Sequence, residues 1–384
     1  QRQHLAMTRR VTQLHSSDYA GVRPLFEPLE FHLAISSGIA RDTPASIYVD
    51  NRDHPRAVLM QTGHRFYLAG NPDIEEFNTG VGRLFAESIY PRALAAGRSM
   101  FVLYHVTGGW EEQIDTLLPD KQPLRDRCEY YEFRALREGW QDMIPDGFGM
   151  RSVNRALLRQ TQLRNLAALT EELCSERPSV SAFLARSFGV CILREDEIVA
   201  CCLSEYNRPG RCEVGIATVK AYQRRGLATF AASALVDRAL TRGITRIGWH
   251  CWADNRPSGA TARKAGFDRL CDYPAFYAWF DVTANLAVHG NVALRSGCYE
   301  DADGWFGRAL ASGDAAGWVY FGAACAAAQL GQEDRALDYL ARAIERGFTN
   351  RNAIAQSQHL DSLHGTERWA QIIRATVCVD AEPA

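Results

Sequence analysis

No CxxC pair occurs among the eleven cysteines, so neither a zinc ribbon nor a disulfide framework is suggested, and a reduced, cytoplasmic setting is expected. No run of about 18 apolar residues occurs, which argues against a membrane span. The start, "QRQHLAMTRR", is polar and has no apolar h-region, so no signal peptide is expected. Met7 reads as the natural start, with Gln1 to Ala6 a remnant of other origin. An excess of one charge is missing too: 43 Lys and Arg face 45 Asp and Glu, a formal net charge of -2. That balance argues against a general binder of nucleic acid or of acidic membranes, and makes any basic site a local one. What is present is ordinary globular composition, 47% hydrophobic and 23% charged over 384 residues, enough for two or three domains.

The last hundred residues contain a repeat. Gly297 and Gly331 lie 34 apart, and in that register Ala302, Phe306, Ala309 and Leu310 fall on Ala336, Leu340, Ala343 and Ile344. One helical face is thus written twice. The stretches "GCYEDADGWFGRAL" and "GQEDRALDYLARAI" resemble the second helices of tetratricopeptide repeats, whose period is 34. Residues 283–384 are expected to form such a helical tail, with the segment 352–376 as its cap.

Upstream, residues 146–282 alternate strand and helix patterns. "FGVCILRE" and "EIVACCLSEY" read as a hairpin across Glu195 and Asp196, and "CEVGIATV" as a further strand. A helix is expected from about Gly226 to Arg242, then a strand in "ITRIGWHCWA", a short helix in "PSGATARKAGF" and a closing strand in "AFYAWFDV". Residues 1–145 echo this unit. At an offset of 146, "RALAAGRSMFVLYH" (92–105) lies on "RALTRGITRIGWHC" (238–251), and "FNTGVG" (77–82) on "QRRGLA" (223–228), without the arginines.

The stretch "VKAYQRRGLAT" places two arginines and a glycine where a strand hands over to a helix. A helix N-terminus carries partial positive charge and unpartnered N–H groups, which suits an anion. The pattern Q-x-x-G-x-A after a strand, followed by a long helix, a second strand ending at Asn255 and "ARKAGF", resembles the pyrophosphate loop of the GCN5-related N-acetyltransferases. The longer run 189–267, with "IYVDN" and "PRAVLMQTGHRFYLAGN" near the N-terminus, resembles the group that includes zwittermicin A resistance proteins. The resemblance implies an α/β fold of tandem mixed sheets: a divergent N-terminal half (1–145), a catalytic module (146–282) and the helical tail (283–384). It implies acetyl-CoA as cofactor. The backbone of Ala217, Thr218 and Val219 would bind the pantetheine arm and acetyl carbonyl. Arg224, Arg225, Gly226, Leu227, Ala228 and Thr229 would hold the pyrophosphate, with Asn255 and Ser258 completing the cofactor site.

Acetyl transfer to an amine requires loss of a proton from the ammonium. Glu213 matches a frequent base position of the family, and His250, on the next strand, is the other candidate. Where many members carry a tyrosine as acid toward the leaving thiolate this chain has Ala262, leaving Ser258, Tyr273 and Tyr277 as alternatives. Trp249, Trp252, Phe276 and Trp279 join those tyrosines around the expected acceptor side. Two readings follow: an N-acetyltransferase of a small amine-bearing molecule, an antibiotic among the candidates, or a catalytically weak acyl-CoA sensor whose output is the repeat surface. In both, the tail is expected to recruit a protein partner or a second copy. No metal is expected.

Overall fold

The computed structural model describes residues 11–379, so the expected start at Met7 lies outside the described residues. The chain divides into two compact units. One takes in residues up to 85, 102–118 and 125–277, the other residues 86–101, 119–124 and 278 onward.

The first unit holds the bulk of a mixed sheet. Its strands are β1 (Thr12–Gln13), β2 (Ser46–Val49), β3 (Ala57–Thr62), β4 (Arg65–Gly70), β5 (Met100–His105) and β6 (Leu124–Phe133), then β7 (Gly149–Ser152), β8 (Gly189–Arg194), β9 (Glu197–Arg208), β10 (Arg211–Thr218), β11 (Arg246–Trp252) and β12 (Phe267–Trp279). They run in the order β1-β2-β3-β4-β5-β12-β6-β11-β10-β9-β8-β7. The β8–β9 hairpin turns where expected, with Arg194 opposite Glu197 and Glu195 at φ 54°, the left-handed backbone that a two-residue hairpin loop asks for. β9 is apolar on both faces because both are covered. Val199, Ala200 and Cys202 join the core of the helix Leu227–Leu240, while Ile198, Cys201 and Leu203 pack with Leu169, Leu173 and Phe183.

The two halves repeat an arrangement. β4 pairs parallel with β5 and β10 parallel with β11, each pair joined through helix. Shifted by 146, β4 falls on Arg211–Ile216 and β5 on Arg246–Cys251, within the bounds of β10 and β11. The glycine stretch 77–82 differs. It lies inside the helix Glu75–Leu84, and a Cβ on Gly80 would meet Val11 Cγ2 at 2.4 Å, so here the glycine serves helix packing.

Two strands depart from expectation. The closing strand begins at Phe267, well before Ala275, and stops at Trp279. β6 was not expected at all, because "LRDRCEYYEF" sets a charge beside nearly every aromatic or apolar residue; it lies between β12 and β11.

The second unit is helical. Val282–Arg295 packs with Tyr299–Ser312, and Gly317–Gln329 with Glu333–Glu345. The first helix of each pair ends at Gly297 or Gly331, with φ of 76° and 71°, the left-handed helix stop that glycine adopts without strain. Phe306 is fully buried against Gly290 and Gly322, where added Cβ atoms would meet its ring at 2.9 and 2.4 Å.

Candidate active site

β10 and β11 are paired only from Arg211 opposite Arg246 to Val214 opposite Trp249. Beyond that point each keeps its outer neighbour: β10 follows β9 as far as Thr218 opposite Ala200, and β11 follows β6 as far as Trp252 opposite Cys128. The two strands therefore part, leaving the edge of β10 at Gly215 to Thr218 without a strand partner on that side among the described residues. Ala217 and Thr218 lie on this stretch and Val219 follows it, tied to β9 through pairing and through Val219 N–H donating to Val199 O at 2.9 Å.

The chain then turns through Lys220–Tyr222 into the expected anion loop. Gln223, Arg224, Arg225 and Gly226 are exposed. Arg224 has φ 64° and Gly226 φ 82°; a left-handed arginine is uncommon and marks a backbone held in place by its surroundings. Gly226 caps the helix Leu227–Leu240 without a side-chain cap, and a Cβ there would meet nothing within 4 Å. The first intrahelical bond is from Phe230 N–H to Gly226 O, so the N–H groups of Leu227, Ala228 and Thr229 have no partner within the helix. Leu227 and Thr229 are buried, so they offer backbone rather than side chain. Gly226 and Thr229 line a groove of about 590 Å³ with Arg137, Arg263 and Lys264. Open backbone, unpaired N–H groups and three cations fit a pyrophosphate.

Where β10 and β11 part there is a cavity of about 260 Å³, walled by β4, β5, β9, β10, β11 and β12. Both expected bases face it. Glu213 is 4% exposed; its Oε1 accepts from Leu33 N–H and stands 3.4 Å from His250 Nε2. The pair makes no hydrogen bond, and Nε2 has no hydrogen-bond partner among the described residues. His250 Nδ1 lies 2.7 Å from the Tyr273 hydroxyl, and its ring stacks on His32 at 4.7 Å between centroids, 9° apart in plane. Burial, then the neighbouring His250 and Arg65, hold His32 well below the usual imidazole range, so it is neutral.

Asn255 and Ser258 also line the cavity, and each has local duties. The Asn255 side chain caps the helix Arg256–Lys264 by accepting from Ser258 N–H, and Ser258 Oγ accepts from Trp249 Nε1 at 3.0 Å. Of the expected aromatics, Trp249, Trp252 and Tyr273 reach this cavity. Trp249 does so from the core, 1% exposed, and Phe276 stacks on His105 instead. Ala262 is fully buried in the core, so its position offers no acid.

Sequence reasoning missed several walls: His32, Arg65, Tyr67, Tyr104 and above all Glu205. Glu205 lies in a bulge, since Tyr206 opposes Glu213 while Ser204 opposes Val214. A bulge re-aims a side chain, and this one sets the carboxyl over Gly215, where a Cβ would come 1.9 Å from Glu205 Oε1. Burial first, then the nearby Glu176, push its pKa up to about 8 against the opposing pull of Arg65. Arg65 is itself occupied by Glu176 at 2.7 Å. The only sequence sign was a lone carboxyl at the end of the apolar run 198–203.

The model of the GNAT acetyltransferase family matches residues 25–276. The uncharacterized N-acetyltransferase YdfB of Bacillus subtilis (strain 168) is 22% identical over 268 residues, which is 69% of this chain and 98% of that protein. A GCN5-related N-acetyltransferase-like protein from Streptococcus suis 89/1591 shares the fold, with a TM-score of 0.51 at 21% identity over 69% of this chain and 99% of that one. The family match covers both halves of the sheet, the parting strands and the loop after β10, and on that ground the chain belongs to the GNAT acetyltransferases, acyltransferases that use acetyl-CoA.

Proposed function

We propose that the chain transfers the acetyl group of acetyl-CoA to an amine of a small molecule, at the point where β10 and β11 part. The observation that carries this reading is the juxtaposition, along one strand, of an unpaired backbone edge at Gly215 to Thr218 and the uncapped helix start at Gly226. Ala217, Thr218 and Val219 would hold the pantetheine arm, Arg224 to Thr229 the pyrophosphate, and Asn255 and Ser258 the cavity side of the thioester. Bound there, acetyl-CoA supplies an acyl group on a good leaving group. Backbone N–H groups at the parting orient its carbonyl. Glu213 and His250 face the incoming amine, and Tyr67, Tyr104 and Tyr273 line the space around it. Carboxylates and ring faces suit a cation, which agrees with an amine acceptor. The resemblance to the zwittermicin A resistance group supports a small molecule, an antibiotic among them.

The 146-residue echo, with parallel pairs at matching positions, supports a divergent N-terminal copy of the catalytic module that shapes the acceptor side. The helix pairs of the second unit, at tetratricopeptide-like spacing, would recruit a partner or a second copy of the chain.

Calorimetry with acetyl-CoA tests the cofactor site: Arg225→Glu combined with Gly226→Val should abolish binding, and unchanged affinity would sink the assignment. Turnover is tested by release of free thiol with a panel of primary amines that includes aminoglycosides, polyamines and peptides. Buried Ala262 favours the second reading, a weak acyl-CoA sensor, and tight binding without turnover on any amine would favour it.

A further inference from the structure

The cavity contains two carboxyls in different circumstances. Glu213 is committed, accepting from Leu33 N–H beside His250. Glu205 has no hydrogen bond and no ion pair among the described residues, yet it is turned by the bulge over Gly215, onto the stretch of β10 where the strands part. The missing Cβ of Gly215 leaves room for it.

We propose that Glu205 accepts the proton of the acceptor's ammonium group, while Glu213 and His250 position that group. This rests on the acetyltransferase reading above. The step balances as follows. One N–H proton passes to the Glu205 carboxylate and later to solvent; the freed nitrogen lone pair forms the C–N bond to the acetyl carbonyl carbon. The C–S bond then breaks, its electron pair leaves on sulfur, and a second proton from the new amide nitrogen neutralises the thiolate. A carboxylate in water is a poor base for an alkylammonium, whose ordinary pKa is ~10. The groups facing Glu205 are Glu172 and Glu176 from one side, Glu213 on β10, and Arg65 on β4. Burial, and then the excess of negative charge, raise the pKa of the carboxyl and close much of that gap.

The test compares two nucleophiles. Hydroxylamine is largely the neutral nucleophile at neutral pH and needs no proton taken before its nitrogen attacks, whereas an alkylammonium from the panel does. With wild-type protein, Glu205→Gln, Glu205→Asp and Glu213→Gln, acetyl-CoA affinity and thiol release are followed. Glu205→Gln should bind acetyl-CoA normally, lose roughly 100-fold or more on the alkylamine and keep its rate on hydroxylamine within about threefold; Glu205→Asp should recover part of the loss. Glu213→Gln should slow both nucleophiles alike. Equal losses on both nucleophiles in Glu205→Gln, or no loss, overturn the proposal, as does a selective loss in Glu213→Gln. Failure of the wild-type protein to acetylate any amine while binding acetyl-CoA would instead sink the preceding reading.

A substrate-free arm then judges Glu205 by itself. A carboxyl raised in the folded state stabilises fully below the ordinary carboxylate range, and that contribution is lost as pH rises toward about 8. Glutamine does not ionise, so the melting temperature of Glu205→Gln relative to wild type should climb between pH 5 and 8. A flat difference overturns the proposal.

Discussion

Gly215 and Glu205 form one device made of two residues. Because a Cβ at 215 would come 1.9 Å from the carboxyl oxygen, Gly215→Ala should displace the end of a flexible side chain rather than the backbone. Stability is then expected to change by less than about 1 kcal/mol, while turnover of an alkylamine falls toward that of Glu205→Gln; denaturation and thiol-release assays read the two effects separately. Glu213 was named in the sequence from its match to a frequent base position of the resembled family, and His250 from its place on the next strand. Glu205 was not. Its aim depends on a bulge, and its raised pKa on burial and then on Glu176 and Glu172, brought beside it only by folding.

Among elements, the strand, turn and helix at 211–240 carry most of the proposed cofactor site. The glycine cap of Leu227–Leu240 and the asparagine cap of Arg256–Lys264 make opposite choices. One leaves N–H groups open; the other closes them with Asn255. Replacing Asn255 by alanine should cost about 1 kcal/mol and free Ser258, whose hydroxyl accepts from Trp249; a lowered melting temperature with weaker acetyl-CoA binding would be the result, checked by thermal denaturation and calorimetry. Most of these elements were legible from period and punctuation: the hairpin at Glu195, the helix after Gly226, the stop at Gly243. β6 was not, since its charges interrupt the apolar alternation that identifies a strand, and its place between β12 and β11 comes from long-range pairing.

At the scale of the whole molecule, each unit has a hydrophobic core of its own: Phe230, Leu235, Trp249 and Phe267 in the first, Phe306, Leu337 and Leu340 in the second. Phe306→Ala removes a fully buried ring and should destabilise the helical unit by about 3–5 kcal/mol. Acetyl-CoA affinity is expected to remain as it was, a comparison that chemical denaturation and calorimetry can make on the same variant. The sequence by itself determined the alternation of strands and helices, the spacing of the helical tail and the loop at Gln223 to Thr229, because periodicity, glycine and helix-start chemistry act over neighbouring residues. Only the tertiary structure decided where β10 and β11 part, that both halves contribute strands to the same sheet, and which carboxyl in the cavity stands unpartnered among the described residues. Those features arise from pairings and desolvation between residues far apart in the chain, and no local pattern records them.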